Sequence, residues 1–333
     1  MYVPYEERAR QIPFASAEYL RFASRQSFLG VPAKRIDEIA GAGAVIVGAP
    51  FDWGVTYRPG ARFGPKAIRE ADYGAMDGYR PHLPTGIDAL GALGVVDIGD
   101  VYVVPGQIEE SIRRIADAVE TVSRSGAVPI VLGGDHTITY PNATGVARVH
   151  GFGDVGLVHF DAHADTGNLQ NGYLYGHGTP MRRLIESGAI PGHRFVQIGL
   201  RGYWPEPDVI AWMREQRMRF YMMNEIEERG LRTVVNEAVA QVSEGARGVF
   251  ISVDIDVVDP GMAPGTGTPE PGGLTSRQLL DTVRRLAKDV NVLGADVVEV
   301  SPPYDGPGEI TAYLANRVVL EVLNGMAERK LAR

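Results

Sequence analysis

Histidine and aspartate residues gather where three apolar segments of the sequence end, in patterns typical of metal ligands. The three segments end in GGDH, in HFDAHAD and in SVDID. Residues two apart on an extended chain point to the same side, so the last two segments can each aim several ligands at one spot. The ligand-type residues are His136, Asp161, His163, Asp165, Asp254 and Asp256.

The charge of this set indicates what it would bind. Four carboxylates packed together would repel one another and raise one another's pKa unless cations neutralised them. A set rich in oxygen, with a little imidazole, favours Mn²⁺ over zinc and calcium. The chain has no cysteine, which excludes thiolate ligands and disulfides. We therefore predict two Mn²⁺ ions per chain, about 3.5–4 Å apart with a water between them.

A purely structural explanation is available for any one cluster alone, because an Asp after a strand often caps a turn or helix. It does not explain why six ligand-type residues recur at the same edge of one predicted sheet. Asp135 stays open between a metal-site role and a structural role that orients His136. His159, inside the second segment, is interpreted as a packing or supporting residue rather than a ligand.

Eight short apolar segments, separated by helical patterns, must position these residues. Their nearly continuous apolar character predicts strands covered on both faces, as in a parallel sheet, and therefore an α/β fold in one domain. Three loops rich in Gly, Pro and Thr follow strands, at the edge where open α/β sheets bind ligands: 52–64, 166–178 and 257–274. The predicted strands are 44–50, 95–99, 128–133, 155–160, 195–200, 219–223, 248–253 and 292–298.

Composition excludes other classes. The formal net charge of -8 makes the chain a poor non-specific binder of nucleic acid. No stretch approaches the ~20 apolar residues of a membrane helix, and the N-terminal residues lack the apolar core of a signal peptide. We therefore expect a cytoplasmic protein with a small-molecule substrate, no nucleic-acid partner and no membrane contact.

Several strings together resemble the ureohydrolase family, which contains arginase and agmatinase. They are GGDH, HFDAHAD, GHGTP, SVDIDVVDPGMAPGTGTPEPGGL and DVVEVSPPYD, and the upstream run GAPFDWGVTYRPGARFGPKAIRE is similar to the agmatinase branch. The resemblance spans residues 45–322. It implies a three-layer α/β/α sandwich with a mostly parallel, eight-stranded sheet. It also implies one domain over 1–333, with residues 1–40 as an extension packed on it, and a homo-oligomer, either trimer or hexamer.

The resemblance also implies roles for individual residues. His177, in GHGTP, matches the proton-shuttling histidine, and Glu299, in DVVEV, matches the acid that holds the guanidinium. Asp165 would pass a proton to the leaving amine. The implied ligands of one Mn²⁺ are His136, Asp161, Asp165 and Asp254, and those of the other are Asp161, His163, Asp254 and Asp256.

The predicted reaction is hydrolysis of a linear guanidino compound to urea and an amine, with agmatine giving putrescine as the first expectation. A guanidino acid, 4-guanidinobutanoate or 3-guanidinopropanoate, is the alternative substrate. Arg182 and Arg183, after GHGTP, are interpreted as exposed helix residues; either of them, if it reached the pocket, would favour a guanidino acid with a carboxylate tail. The candidate residues for the far end of the substrate lie in the loop after Asp165 and are Asn168, Gln170, Asn171, Tyr173 and Tyr175.

Three other classes fit less well. A dinuclear phosphatase would add an Asn ligand and an Asn-His-Glu type of string, which we do not find. A dinucleotide-binding enzyme would place its glycines between a strand and the helix after it, whereas the glycines in 41–48 precede and lie within a strand. A non-catalytic, metal-stabilised partner protein is the alternative from a different class, and the presence of both His177 and Glu299 argues against it.

Overall fold

A computed structural model of the chain describes residues 14–15, 27–73 and 77–332. Most of the predicted N-terminal extension therefore lies outside the described residues. The described strands are β1 (Phe14–Ala15), β2 (Ala44–Ala49), β3 (Val96–Val101), β4 (Val128–Gly133), β5 (Val155–Phe160), β6 (Phe195–Leu200), β7 (Arg219–Met222), β8 (Gly248–Asp254) and β9 (Val292–Val298).

These strands form one sheet in the order β1-β3-β2-β4-β9-β8-β5-β6-β7. Strands β2 to β9 pair in parallel, which confirms the predicted eight-stranded parallel sheet. The short β1 adds an antiparallel edge that the sequence did not predict, since two residues are too few to show a period. Strand β3 runs two residues beyond the predicted end at Gly99, because Val101 pairs with Phe14 of this edge strand.

Apolar residues alternate between the two faces of the sheet, and each face carries its own buried core. Ile130 and Leu132 of β4 belong to one core, and Val131 between them belongs to the other. The described helices on the first face are α1 (Gly64–Glu70), α2 (Ala89–Leu93), α7 (Met223–Arg229), α8 (Leu231–Ser243), α9 (Ser276–Asp289) and α10 (Ile310–Leu331). Those on the second face are α3 (Ile108–Arg124), α4 (Thr139–His150), α5 (Pro180–Glu186) and α6 (Pro207–Glu215). The predicted three-layer α/β/α sandwich is therefore confirmed.

Local sequence signals set the ends of these helices. In α3 the buried stripe includes Ile115, Val119 and Val122, and Gly126 follows the helix with a φ of 87° that favours glycine. Helix α9 begins after Thr275, whose hydroxyl accepts a hydrogen bond from the backbone N–H of Gln278. In the described part of the chain, no helix is long and apolar enough to cross a membrane.

The strand order explains how distant segments reach one site. Strands β4, β9, β8 and β5 follow one another at the centre of the sheet, although 158 residues (134–291) lie between the neighbours β4 and β9 along the chain. Because all four are parallel, their carboxyl ends lie along the same edge. The three predicted ligand clusters and Glu299 follow these four strands, so the fold brings them together.

Candidate functional site

The imidazole of His136 is surrounded by carboxylates. Its Nδ1 lies 2.9 Å from an oxygen of Asp165, 3.0 Å from one of Asp161 and 3.1 Å from one of Asp254. His136 is fully buried, and its Nδ1 has no hydrogen-bond partner of good geometry among the described residues. This arrangement is suited to binding a cation, because the nitrogen and the three carboxylate oxygens each direct a lone pair into the same space.

A second cluster adjoins the first through Asp161. The Nδ1 of His163 lies 3.0 Å from Oδ2 of Asp256 and 3.5 Å from Oδ1 of Asp161. Oδ2 of Asp161 is the oxygen that faces His136, so its two oxygens face the two clusters. Asp254 directs Oδ2 to His136, while its Oδ1 accepts the backbone N–H of Asp256 at 2.8 Å. All six predicted metal ligands therefore lie together, in two groups that share Asp161.

Electrostatics make this cluster costly without cations. Burial raises the pKa of Asp254 well above its ordinary value, and the charges of Asp256 and Asp161 raise it further. Burial and the charge of Asp161 likewise raise the pKa of Asp256. Burial lowers the pKa of His136, but the three carboxylates outweigh it and hold that pKa well above the ordinary value. Bound divalent cations would stabilise the ionised carboxylates and the neutral imidazoles at once.

A layer of buried polar residues supports the ligands from behind. His159 places Nε2 2.7 Å from Oδ2 of Asp161, and its ring lies edge-on to that of His136 with centroids 4.8 Å apart. Ser252 lies 3.1 Å from Nε2 of His136 and 3.3 Å from the hydroxyl of Thr139. Ligand atoms of His136, His159 and Asp161 lie within 4.8 Å of one another, so the spacing alone also fits His159 as a ligand.

The support behind Ser252 ends at a buried acid, Asp296 in β9. Its Oδ2 accepts hydrogen bonds of 2.9 Å from Thr139 and from Asn142. Burial raises the pKa of Asp296 above its ordinary value. Neither Ser252 nor Asp296 is among the residues predicted from the sequence. Ser252 precedes Asp254 by two positions and so shares its face of the strand, and Asp296 is an acid in an otherwise apolar strand; either signal could have identified them.

Asp135 is held by backbone groups beside the site. Its carboxylate accepts the N–H of Gly54 at 2.8 Å and that of Thr137 at 2.9 Å. Burial and the charge of Glu299 raise the pKa of Asp135 to about 7. These contacts fix the turn that carries His136 and connect it to the loop after β2.

Glu299 lies next to this centre with one oxygen engaged and one free. Its Oε1 accepts the backbone N–H of His136 at 2.8 Å and lies 3.1 Å from Nδ1 of His177. Its Oε2 is buried and has no hydrogen-bond partner among the described residues. Gly267 lies close to this oxygen, since the Cβ of any larger residue at position 267 would be 3.4 Å from Oε2. Burial raises the pKa of Glu299, but His177 and the His136 N–H outweigh it, and the net pKa is lowered. The free oxygen of an ionised carboxylate is therefore available to a cationic ligand.

Two of these residues have strained backbones. Glu299 has φ 64° and Asp165 has φ 52°, in the left-handed region that non-glycine residues rarely adopt. Such conformations cost about 1–3 kcal/mol each and concentrate at functional sites.

The imidazole of His177 favours its protonated form. Burial lowers the pKa of His177, but the hydrogen bond and the charge interaction with Glu299 outweigh burial and raise this pKa to about 9.

The loop after Asp165 forms a tight hairpin. The backbones of Gln170 and Tyr173 exchange two hydrogen bonds of 2.9 Å around Asn171 and Gly172, which have φ values of 51° and 84°. The side-chain oxygen of Gln170 accepts the N–H of Gly178 at 3.0 Å and so supports the segment that carries His177. Tyr173 is 70% exposed at the tip. Their assignment to substrate binding stays a prediction.

The ends of this loop contact helices α4 and α5. Asn168 accepts a hydrogen bond of 3.4 Å from Arg183, and the ring of Tyr175 stacks on Tyr140 with centroids 5.9 Å apart. The interpretation of Arg182 and Arg183 as exposed helix residues is wrong. Arg183 is buried and pairs with Glu186, and Arg182 packs over a tryptophan ring, because long side chains cover apolar surface with their stems.

Comparison with known proteins identifies the family. A model of the arginase family matches residues 42–324. The human mitochondrial guanidino acid hydrolase is 41% identical to this chain, over 89% of this chain and 81% of the relative. The mitochondrial agmatinase of Gallus gallus is 42% identical, over 89% of this chain and 84% of the relative.

Solved structures agree with the sequence comparison. Proclavaminate amidino hydrolase from Streptomyces clavuligerus has a TM-score of 0.84 and 38% identity, covering 93% of this chain and 99% of its own. Trypanosoma cruzi formiminoglutamase with Mn²⁺ has a TM-score of 0.79 and 26% identity, and the match covers 90% of this chain and 97% of the formiminoglutamase chain. The chain therefore belongs to the arginase family, and it is a ureohydrolase.

Proposed function

We propose that this ureohydrolase hydrolyses agmatine to urea and putrescine with two bound Mn²⁺ ions. The observation that carries the proposal is the free, buried oxygen of Glu299 beside two adjoining groups of His and Asp ligands. An ionised carboxylate next to a metal centre suits a guanidinium whose carbon is to be attacked. Agmatine carries that guanidinium at one end of a methylene chain.

In the proposed centre, His136 and Asp165 would hold one Mn²⁺ and His163 and Asp256 would hold the other, with Asp161 and Asp254 contributing to both. The division of the two Asp161 oxygens between the clusters supports its bridging role. The oxygen-rich donor set with two imidazoles supports manganese. When bound, the two ions supply an activated water by lowering its pKa from 15.7 toward about 7.

The remaining work falls to the chain's own residues. Glu299 would bind the guanidinium through paired, charge-assisted hydrogen bonds, which orient its carbon. Asp165 would accept the proton that the attacking water loses and pass it to the leaving amine. His177, 3.1 Å from Glu299, would exchange protons with solvent. Glu299, His177 and Asp165 together then provide binding, proton exchange and proton transfer.

Agmatine is preferred because of the upstream motif and the character of the loop at the site. That loop exposes Leu169, Tyr173 and Leu174, which suit a methylene chain better than the two charges of an α-amino acid. The net charge of the chain, -8, also suits a cationic substrate.

A guanidino acid is the second candidate, and Arg58 favours it. Its guanidinium lies over the rings of Tyr57 and Tyr304, at 5.1 and 5.3 Å, and no carboxylate of the described residues pairs with it. Its carbonyl oxygen would be 3.1 Å from a Cβ placed on Gly267, the residue that faces Glu299. The backbone of Arg58 therefore lies beside the residue that faces Glu299, and its guanidinium would hold the carboxylate tail of 4-guanidinobutanoate or 3-guanidinopropanoate through charge-assisted hydrogen bonds.

The proposed enzyme works as a cytoplasmic homo-oligomer, a trimer or hexamer. The family resemblance supports the assembly, and the 94% exposed Tyr203 and 63% exposed Trp204 offer aromatic surface for contacts between copies. A non-catalytic, metal-stabilised partner protein would need neither the free oxygen of Glu299 nor the imidazole beside it.

The decisive experiment measures urea release by the Mn²⁺-loaded protein from agmatine, arginine, 4-guanidinobutanoate and 3-guanidinopropanoate. The proposal predicts the highest kcat/KM with agmatine. A preference for either guanidino acid would support the second candidate. The absence of urea with all four compounds, in protein of full metal content, would contradict the proposed function.

A further inference from the structure

Both ring nitrogens of His177 have partners. Nδ1 faces Glu299, whereas Nε2 lies 2.8 Å from the hydroxyl of Thr56 and accepts the backbone N–H of the same residue at 3.3 Å. The sequence analysis gave Thr56 no role. His177 is buried, with 8% of its surface exposed, and Thr56 is exposed. Thr56 therefore lies between the imidazole and solvent.

The two contacts with Thr56 define the state of the ring. A backbone N–H can only donate, so Nε2 of the neutral ring accepts and the proton resides on Nδ1. There it is donated to the carboxylate of Glu299, which keeps the ring plane fixed. Protonation of Nε2 removes this acceptor, and the Thr56 hydroxyl is then the group that can accept a hydrogen bond from the charged ring.

We propose that Thr56 is a positioning residue that orients His177 and relays protons between its Nε2 and solvent. The inference rests on the proposed function, in which His177 exchanges protons during turnover. In each transfer a solvent water gives one proton to the Thr56 oxygen and leaves as hydroxide into bulk solvent, while the proton of the Thr56 hydroxyl moves to Nε2. The hydroxyl is regenerated and the ring gains one proton; release to solvent is the reverse.

The loop around Thr56 is fixed without the Thr56 side chain. The N–H of Gly54 is held by Asp135, and the carbonyl of Gly54 accepts the N–H of His177 at 3.0 Å. A substitution that removes only the hydroxyl therefore leaves these anchors in place. The charged groups that act on His177, which are Glu299, Asp165 and Asp135, also stay unchanged.

The test compares Thr56→Val, which keeps the shape, with Thr56→Ser, which keeps the hydroxyl, in Mn²⁺-loaded enzyme. Thr85→Val is the matched control, since Thr85 lies 3.0 Å from the ring nitrogen of His82 at an exposed position. We expect kcat of Thr56→Val to fall roughly tenfold, the loss of one hydrogen bond to a charged group, with KM within about twofold. Thr56→Ser should recover most of kcat, and Thr85→Val should match the wild type.

A solvent deuterium isotope effect on kcat distinguishes proton relay by the Thr56 hydroxyl from a purely structural role of the side chain. If Thr56 relays protons, the effect on kcat should be larger in Thr56→Val than in the wild type and should return to the wild-type value in Thr56→Ser. Equal kcat in Thr56→Val and wild type, equal losses in the Val and Ser variants, or an unchanged isotope effect would each overturn the inference. A wild-type enzyme that releases no urea from any guanidino compound would instead contradict the proposed function itself.

Discussion

At the residue scale, Glu299 has two carboxylate oxygens in different surroundings, and its proposed role depends on that difference. Oε1 is held by His136 and His177, and Oε2 is free. Glu299→Gln retains the shape but loses the charge, so kcat/KM should fall roughly a hundredfold or more, since charged hydrogen bonds contribute about 1.5–3 kcal/mol each. Metal content should not change. Near-normal kcat/KM in Glu299→Gln would show that this residue does not anchor the guanidinium.

The shared position of Asp161 leads to a prediction about metal binding. Because its oxygens face both clusters, Asp161→Ala should lose both ions, whereas His136→Ala should mainly weaken one. Metal analysis after Mn²⁺ loading and dialysis measures the difference. Equal retention of metal by the two variants would contradict a bridging role for Asp161.

Five of the six candidate ligands could be predicted from sequence because they lie two apart in contiguous strings, and His136 because it follows an apolar segment in the string GGDH. Thr56, Ser252 and Asp296 could not be assigned in the same way. Thr56 is 121 residues from His177, and Ser252 is 116 residues from His136. A hydroxyl has no spacing signature of its own, so only the folded chain reveals which imidazole it contacts.

At the element scale, the apolar runs predicted all eight parallel strands to within two residues at each end. Their order could not be read from the runs, because strands β5 and β8 pair although two strands lie between them in the chain. The strand order decides which loops meet. The family resemblance implied the eight-stranded, mostly parallel sheet but not the order of its strands.

Helix α1 is joined to strand β3 by a buried ion cluster that leads to a stability prediction. Arg69, fully buried, contacts Asp97 at 2.8 Å and Asp100 at 2.5 Å. Arg69→Met should reduce the free energy of unfolding by about 3–5 kcal/mol, because it leaves two buried carboxylates without their cation. Arg113→Met, on the exposed face of α3, is the control and should change it by about 0.5 kcal/mol or less. Similar unfolding curves for the two variants would contradict the assigned role of Arg69.

At the scale of the whole molecule, the site requires one continuous sheet, since residues from four strands meet at its edge. The single domain over 1–333, with residues 1–40 as an extension packed on it, stays a prediction. The assembly and the location of the protein likewise stay proposals, because neither leaves a signature in one chain.

The choice of substrate also depends on the molecule as a whole, because several loops enclose the proposed metal centre. Arginine should be a poor substrate, since an unpaired α-ammonium or α-carboxylate is costly in a closed site. With arginine and agmatine at equal concentration, putrescine should form faster than ornithine. Faster turnover of arginine would show that the loop with Tyr173 and Leu174 provides more polar contacts than the proposal assigns to it.

Two metal ions, held by the six candidate His and Asp ligands, are proposed to make the chain a guanidino hydrolase. Titration of metal-free protein with Mn²⁺, with urea release from agmatine measured at each addition, tests this proposal most directly. We expect almost no activity without metal and a plateau at two equivalents of Mn²⁺ per chain. Full activity without metal, or a plateau at one equivalent, would contradict it.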